Sequence, residues 1–275
     1  LGSQTSFANG GQLSYRYVAP LADAGVPWQA MGWLLRADSP LKLRPRMDPA
    51  QWRWLAAFVG ACRGSVNQRN GAHLLRLALL SQATLQQWRE EDQLSGFGWR
   101  RNGKLVAFRE QGHFDKARQN VSHSPFQHAL SASECATLTP GLQGSSFVGG
   151  IYTPDEEVGD CHAFCQQLVA RLEASGRCTF VLGKPVTGVV HRHGAVSAVD
   201  MGDERLQVDQ LVLAAGHNSP ALRLPGLNLP LYPLKGYSLS LPLADVEKAP
   251  HVSITDYDRK IVYARIGEQL RIAAM

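Results

Sequence analysis

Chemistry on a nucleotide needs backbone that can come close to a bulky group, and the stretch from Asp209 to Leu222, DQLVLAAGHNSPAL, has residues suited to that. Leu211, Val212, Leu213, Ala214 and Ala215 form an apolar run too short for a helix and bounded by turn residues. Such a run predicts a strand buried on both faces of a parallel-type sheet. Gly216 ends it. Without a side chain at that point the backbone can approach a ligand, and open α/β sheets bind ligands at the carboxyl ends of their strands. An ordinary strand-to-loop glycine fits the same residues equally well.

Other groups are chemically capable but badly arranged. Cys161 and Cys165 are four residues apart and share a helix face, yet His162 points elsewhere and no second ligand pair has zinc-site spacing. They read as thiols packed beside Phe164, since free cysteine behaves as a small hydrophobe. His191 and His193 share one side of a strand, at a position where polar side chains are commonplace. GFGWRR, from Gly96, has Arg101 where a dinucleotide fingerprint needs its last glycine. GWRRNGKL, from Gly98, mimics a phosphate-binding loop but ends in Leu105 where a Ser or Thr must reach magnesium. No nucleophile triad is visible, so no catalytic residue is assigned.

The elements that must position these residues follow from local signals. Asp48 and Pro49 open a helix with Trp52, Leu55, Ala56 and Val59 on one face. A second helix is predicted over about 73–89, where Leu74, Leu77, Ala78, Leu85 and Trp88 read as core. Asn102-Gly103 predicts a hairpin, and helical patterns return near 113–121 and 133–138. A helix capped by Asp160 carries Phe164, Leu168 and Leu172 inward and stops before Gly176. The short runs CTFVL, VTGVVHR, AVSAVDM and RLQVD then predict an antiparallel meander that feeds the apolar strand.

The 275 residues, 44% hydrophobic and 19% charged, suit one large or two smaller globular domains. No apolar run reaches the roughly 18 residues a membrane span needs. Five cysteines scattered through a long chain argue against a disulfide framework, and the reading is a cytoplasmic protein. A net charge of +5 includes small clusters at Arg36, Lys42, Arg44, Arg46 and at Arg100, Arg101, Lys104, read as solvated surface. No nucleic-acid-binding motif is present, so nucleic acid is not an expected partner.

Several longer phrases together resemble one family. SFANGGQLS, the proline-rich segment APLADAGVPWQAMGWLLRADSPLKLRP, TPDEEVGDCHAFCQQL, VLAAGHNSPAL, YPLKGYSLSLP and KIVYARIGEQLRIAAM are similar, in order, to the small FAD-carrying subunits of bacterial D-amino acid dehydrogenases. These are D-amino acid oxidase-like flavoproteins. The resemblance implies a mixed α/β fold: an incomplete FAD-binding Rossmann-like domain of the glutathione-reductase type at 1–93 and 148–232, and a smaller antiparallel-sheet substrate domain at 94–147 and 233–275. In the family a glycine-rich fingerprint precedes this region and a further flavin- and substrate-facing segment follows it, so the expectation is a fragment lacking both termini.

Carried over by position, the resemblance places Ala8, Asn9, Gly10 and Gly11 along the flavin or its pyrophosphate, Val186 beside the adenine, and Ala214, Ala215 and Gly216 on the inner nucleotide strand. Tyr237, Lys260 and Arg265 fall on the substrate side, where surface or inter-strand pairing explains them as well. Arg16, Arg259 and the Ala273-Ala274 pair depart from the family pattern, the alanines implying a modified turn. The implied activity is FAD-dependent oxidative deamination of D-amino acids such as D-alanine to 2-oxo acids and ammonia. Oxidation of D-hydroxyproline, glycine or sarcosine, or a non-catalytic interaction module, are the alternatives. The implied partners are the amino acid, a respiratory quinone as electron acceptor, and the inner face of a bacterial membrane as a peripheral contact.

Overall fold

The computed structural model describes residues 1–28, 30, 43–246 and 249–274. Arg36 and Lys42 of the first basic cluster lie outside the described residues. The chain divides into two compact units, one made of Leu1–Leu43, Ala61–Ala174 and Lys235–Met275, the other of Arg44–Gly60 and Ser175–Leu234.

The first unit is built on a seven-stranded mixed sheet. Its strands are β2 (Lys104–Phe108), β3 (His128–Ser131), β4 (Gly149–Thr153), β9 (Tyr237–Pro242), β10 (Ser253–Asp256), β11 (Ile261–Ile266) and β12 (Gln269–Ala274). They lie in the order β3-β4-β2-β10-β11-β12-β9, with β2 and β10 parallel and every other neighbour antiparallel. All of KLVAF is buried, because β2 is covered on both faces. Leu105 and Ala107 pack with Cys135 and Leu138 of helix α4 (Ala132–Leu138), while Val106 and Phe108 pack with Phe114 of helix α3 (Gln111–Val121). The period-2 alternation of the strand thus feeds two separate cores. Gly149 is needed for the second: a Cβ there would stand 2.5 Å from Phe114 Cζ.

Ser131 starts α4 with a capping box, its hydroxyl bonded to the Glu134 backbone and the Glu134 carboxylate returning to the Ser131 N–H. Two long helices flank these elements in sequence, α1 (Pro49–Ala61) and α2 (Gly64–Glu91). A small ladder joins β1 (Gln12–Leu13) to β5 (Glu157–Val158), and helix α5 (Cys161–Ala174) follows it.

The second unit contains the expected meander, β6 (Gly188–Arg192), β7 (Ala195–Met201) and β8 (Glu204–Gln207), all antiparallel. His193 and Gly194 turn its first hairpin with φ of 51° and 80°, the left-handed pair that tight hairpins require. In the same unit Trp54 of α1 stacks on Phe58 at 5.1 Å and packs against Tyr232 at 5.7 Å.

Four local expectations fail. Residues 211–215 form no strand, and Val212 is 88% exposed. A strand exists only where a neighbour takes its N–H and C=O groups, and the sheet of this unit ends at β8. CTFVL is likewise irregular. Asn102-Gly103 does not join two paired strands: β2 turns away to pair with β4 and β10, and Arg100 bridges to Val158 instead. Ala273 and Ala274 lie within β12, opposite Val262 and Ile261, so no modified turn forms there.

Candidate functional site

A cavity of about 720 Å³ lies in the first unit. Its size falls within the range of small-molecule and cofactor sites. One wall is backbone, running through Asn9, Gly10, Gly11 and β1 to Ser14. A second is the stripe of α2 formed by Leu77, Leu80, Thr84 and Trp88, and a third is the start of α5 with Cys161 and Phe164. Leu77, Leu85 and Trp88 were expected in a core, but they line this cavity, and Leu77 is 63% exposed.

The backbone wall is held from several directions. Gly11 N–H donates to Asn9 Oδ1 at 3.0 Å, and Gly159 N–H donates to Gly11 O at 2.9 Å. Arg271 on β12, only 7% exposed, donates to Asn9 O at 3.0 Å and lies 3.8 Å from Asp160 Oδ2. Asp160 in turn caps α5 by accepting from Ala163 N–H at 3.0 Å. Gln12 reaches β10, its side-chain amide donating to Ile254 O at 3.1 Å and accepting from Thr255 Oγ1 at 3.1 Å. The glycines are steric requirements. Gly11 has φ +64°, and a Cβ on it would meet Ile266 Cδ1 at 2.2 Å, while one on Gly10 would meet Val262 Cγ2 at 2.8 Å.

Behind the wall lies a buried polar cluster that the sequence did not single out. Glu156, 1% exposed, accepts from Tyr15 N–H at 2.9 and 3.0 Å and from Arg16 N–H at 2.7 Å. Burial raises its carboxyl above the ordinary range, opposed by these hydrogen bonds and by the Lys104 charge. Glu157 accepts from Tyr15 Oη at 2.8 Å and from Trp99 Nε1 at 2.9 Å. Burial, then this bond, pushes the Tyr15 phenol far up. Both glutamates sit inside the quoted phrase TPDEEVGDC, but adjacent charges read as solvated until β1 and β5 are known to pair.

The candidate positions divide between the units. Asn9, Gly10 and Gly11 line the cavity, with Ala8 just before them. Val186, 45% exposed, and Ala214, Ala215 and Gly216 belong to the second unit, where Gly216 opens a 3₁₀ helix, Gly216–Leu222, with φ +56°. Tyr237, Lys260 and Arg265 are in the first unit but not on the cavity lining. Tyr237 is 67% exposed on the edge strand β9. Lys260 has φ +56° and places its ammonium 3.8 Å from the Tyr257 ring; burial lowers its pKa, opposed by Asp258 and Asp256. Arg265 donates to Val246 O at 2.9 Å. Among the described residues, no cluster of three or more His, Cys, Asp or Glu could hold a metal ion, and no helix is long and apolar enough to cross a membrane.

The sequence profile of the family described as FAD dependent oxidoreductase matches residues 1–275. The chain belongs to that family. It is 66% identical over 274 residues to D-amino acid dehydrogenase 2 of Pseudomonas aeruginosa, which covers all of this chain and 66% of that protein. A D-amino acid dehydrogenase of Vibrio vulnificus is 36% identical over 278 residues, covering 98% of this chain and 66% of the relative. The chain therefore spans about two thirds of the length of these curated relatives. Among solved structures, glycine oxidase from Geobacillus kaustophilus matches with a TM-score of 0.65 at 18% identity, over 74% of this chain and 55% of that one. Iminodiacetate oxidase from Chelativorans matches with a TM-score of 0.63 at 16% identity, over 98% of this chain and 61% of that one. At such identities these likenesses establish the mixed α/β fold of the FAD-dependent oxidoreductases.

The cavity fits the cofactor of this family. A flavin ring is flat and largely apolar at its dimethylbenzene end, and Trp88, Phe97 and Phe164 supply an aromatic wall in which Phe164 stacks 6.4 Å from Trp88 and meets Phe97 edge-on at 5.2 Å. The glycine-containing wall brings main chain, rather than side chains, against whatever occupies the space.

Proposed function

We propose that this cavity receives the flavin of FAD and that the full-length protein oxidises D-amino acids, D-alanine among them, to 2-oxo acids and ammonia. The observation that carries the reading is the convergence of Asn9, Gly10 and Gly11 with the first turn of α5 on one cavity of cofactor size, in a chain 66% identical to a D-amino acid dehydrogenase. FAD, when bound, supplies the hydride acceptor. The chain supplies shape and exclusion: Arg271 and Asp160 fix the Asn9 to Gly11 turn, and Trp88, Phe97 and Phe164 keep water from one side. Loss of hydride from Cα gives an imino acid, which water converts to the 2-oxo acid and ammonia.

The remaining assignments belong to the same reading. Ala8, Val186, Ala214, Ala215 and Gly216 are placed along the nucleotide, in an FAD-binding domain of 1–93 and 148–232. Tyr237, Lys260 and Arg265 are placed toward the substrate, in a domain of 94–147 and 233–275. A respiratory quinone at a bacterial inner membrane is the electron acceptor. Anaerobic mixing of the FAD-loaded full-length protein with D-alanine, L-alanine, glycine and sarcosine tests the activity. Bleaching of the flavin absorbance with D-alanine, and not with L-alanine, is expected; bleaching by glycine or sarcosine alone would replace the substrate assignment.

A further inference from the structure

Lys104 is an unusual occupant of β2. The other four residues of the strand are apolar, Lys104 is 3% exposed, and it is paired on both sides, to Thr153 of β4 and Ser253 of β10. Its ammonium donates to Ser14 Oγ at 2.7 Å and stands 4.4 Å from the Tyr17 ring. Ser14 belongs to the cavity wall, so a buried cation sits one side chain behind the proposed flavin site. An ammonium has donors only, so Ser14 Oγ must accept from it. The N–H groups of the next two residues, Tyr15 and Arg16, donate to the buried Glu156 carboxylate, whose charge acts on that of Lys104.

We propose that Lys104 and Glu156 are positioning residues that form a compensated charge pair behind the cavity wall and tune the electron affinity of the flavin held there. Opposite charges buried near one another are a poor source of stability and are readily replaced by apolar groups, so a lysine in an otherwise apolar strand is better explained by a local field than by folding. Either charge alone is weakly screened in the interior. A lone Lys104 favours an electron-rich ligand in the cavity, a lone Glu156 opposes one, and together they nearly cancel. Burial pushes the Lys104 pKa down to about 8, against the pull of Glu156, so the balance changes as Lys104 loses its proton. Around the ammonium are Glu156, the Tyr17 phenol, itself raised to about 12 by burial, and, beyond Glu156, Tyr15 and Glu157.

The inference rests on the flavin reading, and the test separates the two. The midpoint potential of FAD bound to the full-length protein is measured in wild type, Lys104→Met, Glu156→Gln and the double variant. The potential is expected to fall in Lys104→Met, rise in Glu156→Gln and return close to the wild-type value in the double variant. A purely structural pair would destabilise both single variants without moving the potential in opposite directions, and unchanged or same-direction shifts overturn the proposal. If a single variant does not fold, the pH dependence of wild type against the double variant, which buries no unpaired charge, decides. Between pH 7 and 9 the wild-type potential is expected to fall more steeply than that of the double variant, and equal slopes overturn the proposal. Failure of wild type to bind FAD at all would remove the flavin reading instead.

Discussion

Replacing Gly11 by alanine should damage both the fold and the cavity. Two penalties can be read from the geometry. The residue has φ +64°, a left-handed conformation that costs an L-residue about 1–2 kcal/mol. Its new methyl would also stand 2.2 Å from Ile266 Cδ1 and 3.1 Å from Gly159 O. Ile266 is only 7% exposed and packs with Val158 and Ala264, so its end cannot swing freely, and overpacking of this kind costs about 1–3 kcal/mol. The sum is a loss of about 2–5 kcal/mol, measurable by urea unfolding of the full-length protein. FAD affinity should fall more than tenfold, because the hydrogen bond from Gly159 that closes the wall is displaced with it. Gly71 is the control. It lies inside α2, and a Cβ there meets only Pro20 Cδ at 3.5 Å, so alanine should stabilise by roughly 0.5–1 kcal/mol. A Gly11→Ala protein within 1 kcal/mol of wild type would refute the steric reasoning.

Other expected outcomes follow from the same contacts. Truncating Phe114 to alanine removes the side chain that fills the space over Gly149 and Phe108, and should lower unfolding free energy by about 3–5 kcal/mol. Arg271→Met keeps the bulk but leaves Asn9 O without its donor; the FAD dissociation constant should rise about tenfold, as titration by flavin fluorescence would show. Stability should also respond to pH through Lys104. Its folded pKa is about 8 against an ordinary value of 10.5, so between these values the unfolded chain binds more protons and stability rises with pH. The difference in slope between wild type and Lys104→Met should be about 1.2 kcal/mol per pH unit near pH 9. Cys135, pushed up to about 11 by burial, and Tyr15 and Tyr17, both raised, oppose the rise from about pH 9 upward.

What was legible in the sequence was whatever local chemistry decides. Asp160 before an apolar stripe specifies the start of α5, and the runs broken by His193-Gly194 and Gly202-Asp203 specify the meander, because cap and turn residues act within a few positions. The apolar run at Leu211 carried an equally good strand signal and forms none, since a strand also needs a partner whose presence no local pattern reports. The helix expected from residue 73 begins at Gly64, where polar residues offered no stripe; Asn67 is held instead by the carbonyls of Pro20 and Ala22.

At the site, Asn9, Gly10 and Gly11 were identified through family resemblance, and the structure puts them on the cavity. Leu77 and Trp88 read as core in the sequence but stand on the cavity wall, because an apolar stripe looks the same whether it faces packed side chains or open space. From sequence Lys104 reads as surface, as a lysine after Asn-Gly ordinarily is. Only the pairing of β2 with both β4 and β10 reveals that it is enclosed.

Amide hydrogen exchange of the full-length protein with and without FAD is the most direct measurement of where the flavin lies. The account predicts that FAD slows exchange at residues 9–14, at the start of α5 and along the Leu77 to Trp88 face of α2. Protection confined to other segments, with these three unchanged, would contradict it.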